Sequence, residues 1–300
     1  MKCWLVVLAV PWSIADSLQG QNPAVVNGVE HVVIIGCDGL SPDGIVKAKT
    51  PRLDDLMKRG AFTLHARGVL PTDSSPNWAS MITGAGPEQH GVTSNKWKPD
   101  QFDIPPVAIG KGGIFPTVFS VLREARPEAM IACFHDWDDF ARLVEKNACN
   151  VLEDLDGPVK TMERATAYFK EKKPLFTFIH LDHVDHAGHD HGHGTPEYYQ
   201  AVEEADRLIG EFLKTLQEMN ELEKTVVLVT SDHGGKGKGH GGATLEEIEI
   251  PWIIAGPGIA AGKEIKAPVN TYDTAVTVAH LLCAPIPTCW IGKTVREALR

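Results

Sequence analysis

Basic patches, paired cysteines and long apolar runs are what this 300-residue sequence has least of. Acidic side chains outnumber Lys and Arg by 39 to 29, and the net charge is -10 with histidines neutral. No stripe of lysine and arginine is present, which excludes binding of nucleic-acid polymers, since that needs clustered cations to replace counterions. A small anionic substrate is not excluded, because bound cations can invert the local field. The six cysteines include no C-x-x-C pair, so a cysteine zinc site is excluded. No apolar run approaches the length of about twenty residues that a bilayer span requires. Internal repeats and linkers rich in Gly, Ser or Pro are also missing, so residues 21–300 are expected to form one domain.

What is present describes an ordinary globular chain, 43% hydrophobic and 23% charged, with enough apolar material for a sizeable core. The N-terminus reads MKCWLVVLAVPWSIADSLQG. Lys2, the apolar run Cys3–Val10, Pro11 and the small residues near Ala15 have the layout of a signal peptide over residues 1–20. The competing reading is a buried N-terminal strand; the signal peptide implies a secreted or periplasmic protein. Cleavage would remove Cys3. Of the remaining cysteines, Cys37 ends an apolar strand and reads as a buried thiol, while Cys283 and Cys289 are candidates for a disulfide in an oxidising compartment.

Continuous β-branched runs predict strands buried on both faces at His31–Cys37, Met130–Phe134, Leu175–His180 and Thr225–Thr230, with a short one at Trp252–Ala255. Helices are expected from Thr50-Pro51 to Gly60, over Phe115–Glu124 and Val159–Lys172, from Thr195-Pro196 to about Asn220, and over Ala275–Leu282. The alternation implies an α/β fold with an open, mostly parallel sheet sandwiched between helices. The aperiodic stretch Thr93 to Gly113 reads as a loop over one edge of the site.

The chemistry concentrates at strand ends. Asp38 follows the first strand, Asp182 and Asp185 follow LFTFIH, and Asp232 and His233 follow TVVLVT, where ligands bind in open parallel sheets. The run from His180 to Gly194 alone holds six histidines and three aspartates, a donor set suited to zinc, manganese or iron. A solvated His-rich loop that merely scavenges metal is the bland alternative. Ser74 and Ser75 in PTDSSPN precede a helix beginning near Trp78, and by chemistry alone either hydroxyl could serve as a nucleophile. Asn77 offers an amide donor for a transition-state oxygen. Within the His-rich run, His186, Asp190, His191 and His193 read as surface loop and Asp182 as support for an imidazole. Lys236, Lys238, Trp78 and Trp97 read as solvated or packing residues rather than substrate contacts.

Five elements in order, Asp38 after a strand, PTDSSPNWASMITG with PEQHGV, DHAGH, SDHGG and His240-Gly241 before a strand ending Ala255-Gly256-Pro257, resemble the alkaline phosphatase superfamily. They are most similar to its type I phosphodiesterase/nucleotide pyrophosphatase branch, and they span Val32 to Pro257. The resemblance implies an alkaline-phosphatase-like fold and two divalent metal ions, zinc by expectation. It implies one ion on Asp38, Ser74, Asp232 and His233, and the other on Asp185, His189 and His240. It implies Ser74 as nucleophile in place of the branch's usual threonine, a phosphoseryl intermediate, and Asn77 against a phosphoryl oxygen of a small phosphorylated substrate. The interval from His233 to His240 is short where that branch often carries an insertion, which leaves phosphomonoesterase and phosphonate hydrolase as alternatives. Sulfatases share the fold but follow Cys/Ser-x-Pro-x-Arg, and here Ser74-Ser75-Pro76-Asn77 meets Trp78. A mutase would need a second domain, and a non-catalytic metal-binding protein would need to lack one of these groups.

Overall fold

In β1 (His31–Cys37) alternate side chains enter opposite layers, so one apolar run serves two cores. Val32 and Ile34 join one core while Val33 and Ile35 join the other. The structure, a computed structural model, describes residues 28–300, so the expected signal peptide lies outside the described residues. After β1 come α1 (Pro42–Lys47), α2 (Pro51–Arg59), β2 (Ala61–Arg67), α3 (Ser74–Thr83), α4 (Pro87–His90) and α5 (Val118–Ala125). Next are β3 (Ile131–His135), a 3-10 turn (Asp138–Leu143), β4 (Val151–Asp154), α6 (Pro158–Lys172), β5 (Phe176–Leu181), α7 (His183–His191) and α8 (Pro196–Glu218). The chain closes with β6 (Thr225–Thr230), α9 (Leu245–Ile248), β7 (Glu249–Ala255), β8 (Lys263–Glu264) and α10 (Asp273–Leu281).

The strands form one eight-stranded sheet in the order β4-β3-β5-β1-β6-β7-β2-β8. It is parallel from β4 to β6, while β7 runs antiparallel to both β6 and β2. The open, mostly parallel sheet between helices is therefore the observed architecture. Residues of α3, α5 and α10 pack in the core that contains Trp78, Phe119 and Phe178; those of α2, α6 and α8 pack in the core that contains Phe169 and Phe212. Long-range polar contacts fix these layers: the Asp206 carboxylate of α8 accepts from the backbone N–H groups of Arg52 and Leu53, capping the start of α2.

Three expectations need correction. Strands β2, β4 and β8 were not anticipated, and the His-rich run is no loop: its middle is α7. The Cys283–Cys289 disulfide is not formed; the five cysteines among the described residues are free thiols, with Cys37 buried as expected. Among the described residues no helix is long and apolar enough to cross a membrane.

Candidate metal centre and nucleophile

Parallel β5, β1 and β6 end side by side, and the turns that follow them bring the predicted residues together. Asp38 leaves β1, Asp185 and His189 lie one turn apart on α7, and Asp232 and His233 leave β6. Ser74 occupies the first turn of α3. Gly39, at φ +67°, is required here: a Cβ would fall 2.8 Å from Asp185 Oδ1.

Two ligand clusters result. In the first, His233 Nε2 lies 3.3 Å from Asp38 Oδ1, 3.2 Å from Asp232 Oδ2 and 3.3 Å from Ser74 Oγ. In the second, His189 Nε2 lies 3.1 Å from Asp185 Oδ2 and 3.2 Å from His240 Nε2. Asp185 also approaches Asp38 and His233 closely enough to share an ion with them, so it joins the clusters. The rings of His233 and His240 stack with centroids 3.7 Å apart.

The donor set fits bound cations. His233, His189 and His240 each turn Nδ1 to a backbone carbonyl, of Gly234 (2.7 Å), Lys238 (3.0 Å) and Thr72 (2.8 Å). A carbonyl only accepts, so Nδ1 carries a proton on each ring and Nε2 is the atom turned into the cluster. Asp38 Oδ1, Asp185 Oδ1 and Asp232 Oδ2 are buried with no hydrogen-bond partner. Among the described residues no lysine or arginine forms an ion pair with these carboxylates; every partner is a histidine. Burial, then the neighbouring Asp38 and Asp185, push the Asp232 carboxyl well above the usual range. That is the electrostatic signature of a place built around positive charge.

Asp38 takes the opposite course. Burial alone would raise it, but hydrogen bonding from His180 and charge from His233 hold it below the usual carboxylate range. Its Oδ2 accepts from Trp78 Nε1 at 2.9 Å and faces His180 Nε2 at 3.2 Å, which leaves Oδ1 directed at His233. His180 is itself held between Asp38 and Asp136; against burial, the Asp136 and Asp38 bonds push it up to about 10, so it stands as an imidazolium. Trp78 is fully buried, consistent with packing, yet it also anchors a ligand.

Several predicted roles move. Every polar atom of Asn77 is spent on the loop before α3: Oδ1 accepts from Val69 N–H at 2.6 Å, and Nδ2 donates to the carbonyls of Pro71 (3.1 Å) and Asp73 (2.9 Å). With no exposure it braces that loop and is not placed to meet a phosphoryl oxygen. Asp182 pairs with the exposed His186 at 2.8 Å, not with a ligand imidazole. His193 is not surface: its side chain is 5% exposed, its Nε2 is 3.8 Å from Asp185 Oδ1, and it lines a cavity of about 490 Å³ with Ser41, Asp43 and Lys236. A Cβ on Gly235 would lie 2.1 Å from that ring, so glycine makes room for it.

Ser75 and Ser74 also separate. Ser75 is fully buried, and its backbone N–H donates to Asn95 Oδ1 at 2.7 Å; only Ser74 Oγ faces His233. Asn95, missed in the sequence, is half-buried beside the first turn of α3, and its amide NH2 has no acceptor among the described residues. It stands at the base of the aperiodic loop, whose middle turns outward with Val107 and Ile109 exposed. No local pattern marks it.

Comparison with known proteins bears on family and fold. The sequence model of the type I phosphodiesterase/nucleotide pyrophosphatase family matches residues 32–238. Human ectonucleotide pyrophosphatase/phosphodiesterase family member 1 is 25% identical over 193 residues, 61% of this chain and 21% of that protein. Mouse bis(5'-adenosyl)-triphosphatase is 24% identical over 245 residues, 77% of this chain and 52% of that protein. The chain thus spans about a fifth to a half of the length of these relatives. Among solved structures, inactive murine ectonucleotide pyrophosphatase/phosphodiesterase 5 with AMP superposes at a TM-score of 0.75 with 16% identity, covering 90% of this chain and 100% of that one. A 2-O GAG sulfatase reaches 0.67 with 18% identity over 89% and 73%; both likenesses speak for the fold alone. With the family's pattern matched over more than half of its length, the chain belongs to the type I phosphodiesterase/nucleotide pyrophosphatase family.

Proposed function

We propose that this protein is a metal-dependent hydrolase of phosphoric diester or pyrophosphate bonds in small substrates, with Ser74 as its nucleophile. The observation that carries the reading is the set of three buried, partnerless carboxylate oxygens clustered with His233, whose Nε2 lies 3.3 Å from the Ser74 hydroxyl. Asp38, Ser74, Asp232 and His233 would hold one cation, and Asp185, His189 and His240 the other. Carboxylate and imidazole donors suit zinc. When bound, such a pair of ions lowers the pKa of an attacking hydroxyl and neutralises charge on the phosphoryl group and leaving oxygen.

The chain's own residues supply the rest. Ser74 Oγ forms a bond to phosphorus as the bond to the leaving oxygen breaks, giving a phosphoseryl intermediate. Water then cleaves the Oγ–P bond and restores the hydroxyl. The Asn95 NH2 group is free to donate to a non-bridging oxygen as charge grows there, the role first expected of Asn77. Asp38 keeps one oxygen directed at His233 because Trp78 and His180 occupy the other.

The relatives named for nucleotide pyrophosphatase and bis(5'-adenosyl)-triphosphatase activity support a nucleotide-like substrate. The short turn between His233 and His240, closed by a bridge of Lys236 to Gly239, favours phosphomonoesters as a second reading. The N-terminal pattern supports export. The test is elemental analysis of the purified protein together with hydrolysis of a chromogenic diester and monoester. Two bound metals and diester turnover are expected; no metal and no turnover of either ester would overturn the proposal.

A further inference from the structure

Beyond the ligand clusters, a partly buried guanidinium reaches the same turn of α3. Arg142 follows β3 on the 3-10 turn Asp138–Leu143, and that turn docks on α3 through Phe140, whose ring meets Trp78 edge-on with centroids 5.9 Å apart. One nitrogen, Nη2, donates both to Ser75 Oγ at 2.9 Å and to the Asn95 backbone carbonyl at 2.7 Å. Nη1 donates to Asp139 at 2.6 Å, and the guanidinium carbon lies 5.9 Å from the Trp137 ring centre. Nε is buried without an acceptor.

Resting on the function proposed above, we propose that Arg142 is a positioning residue, a clamp that holds the Asn95 amide in register with the nucleophile. Ser75 is the residue after Ser74, and its N–H is already bonded to Asn95 Oδ1. Arg142 closes this contact into a ring: guanidinium to Ser75 hydroxyl, Ser75 N–H to Asn95 side chain, Asn95 carbonyl back to guanidinium. Asn95 sits at the mouth of a long aperiodic loop, where an unbraced side chain would sample many rotamers. A donor aimed at a developing oxyanion contributes only if it is held before the reaction begins. The fork of donors on one planar group suits two acceptors from separate segments better than a flexible ammonium would. Asp139 on Nη1 holds the other arm of the guanidinium, while Nε is left without an acceptor.

The experiment compares zinc-loaded wild type with Arg142→Ala and Arg142→Met, the latter keeping an apolar stem over Trp137. With a chromogenic diester, kcat should fall on the order of 10²-fold in both variants, with KM and bound zinc little changed. Free guanidinium should restore much of kcat to Arg142→Ala, and less to Arg142→Met, whose side chain fills the space. Backbone hydrogen exchange across residues 93–97 should quicken in both. A kcat within about threefold of wild type, or a loss that tracks zinc content and ignores guanidinium, would overturn the clamp. A wild type that cleaves no phosphoric ester instead overturns the function itself. In that case exchange still reads the clamp, and unchanged exchange at 93–97 would refute it.

Discussion

The two ends of the central strands carry nearly the same donor types and treat them in opposite ways. At the carboxyl ends, Asp38, Asp185 and Asp232 face histidines, and none of them has a lysine or arginine partner among the described residues. At the amino ends, Glu30, His31 and Glu221 also converge closely enough to share an ion. There, however, Lys173 Nζ bonds Glu221 Oε1 at 2.5 Å, and Lys224 Nζ lies 3.4 Å from Glu30 and 3.7 Å from Glu221. The protonation directions diverge accordingly. Asp232 is pushed well up by burial and its acidic neighbours, whereas the hydrogen bond from Lys173 outweighs burial and holds Glu221 below its ordinary value. A converging donor set therefore does not by itself mark a candidate metal centre; what distinguishes the carboxyl end is that no lysine or arginine among the described residues pairs with its carboxylates.

The sharpest test of that contrast removes the proposed nucleophile while leaving the carboxylates of the candidate centre in place. Ser74→Ala should lower turnover by at least roughly 10³-fold with most bound metal retained, as elemental analysis would show. Ser75→Ala should cost less, through loss of its one hydrogen bond from Arg142. Equal losses in the two would undo the assignment of the hydroxyl. Next in size is Asp185→Asn, which weakens the shared ligand of both clusters. Bound metal should fall towards about one equivalent per chain and turnover by about 10²-fold. Retention of two tightly bound metals would show that the carboxyl-end carboxylates do not depend on supplied charge.

Chelation addresses the same point through stability. Binding to the folded chain alone stabilises it by mass action, so stripping the metals should lower Tm by roughly 5–10 °C, and readdition should restore it. An unchanged Tm with demonstrable metal loss would mean that the orphaned oxygens find protons or water at no cost.

How much of this was legible in the sequence follows from which residues do the packing. The strand ends of the candidate site were readable because β1, β5 and β6 are buried along their whole length, so apolar runs mark them and the polar residue after each stands out. Helix α7 was not readable: the face it buries is Val184, Asp185 and Gly188, and a single valine beside an aspartate and a glycine makes no apolar period. Strand β2 hid for a related reason. It buries Ala61, Thr63 and Ala66 while Phe62 and Leu64 are half-buried, so its alternation is blurred, and its partner β7 comes late in the chain. Asn77 was misread because helical spacing sets which face a residue occupies, not which acceptors claim it; the carbonyls of the preceding loop lie nearer than any substrate would. Asn95 and Arg142 are brought to α3 by tertiary contacts across 20 and 67 residues from Ser75, which no local pattern records.

The smallest expected effect lies at the other end of the strands. Glu221→Gln keeps the shape of a side chain that is 4% exposed but removes the charge that faces Lys173 and Lys224. Both lysines are about half exposed, so solvent screens the pairs, and Tm at neutral pH should drop by only about 1–4 °C. The pH dependence gives this shift a sign. Because the folded carboxyl sits below its ordinary value, the unfolded chain takes up the proton first as pH falls. The contribution of Glu221 is therefore complete above the unfolded carboxyl pKa and fades as pH drops through the lower folded value. The gap in Tm between wild type and Glu221→Gln should close in that acid window, while metal content and turnover at neutral pH stay at wild-type levels. Loss of bound metal in Glu221→Gln would place a cation where the lysines are argued to make one unnecessary, and the contrast between the two ends would fail.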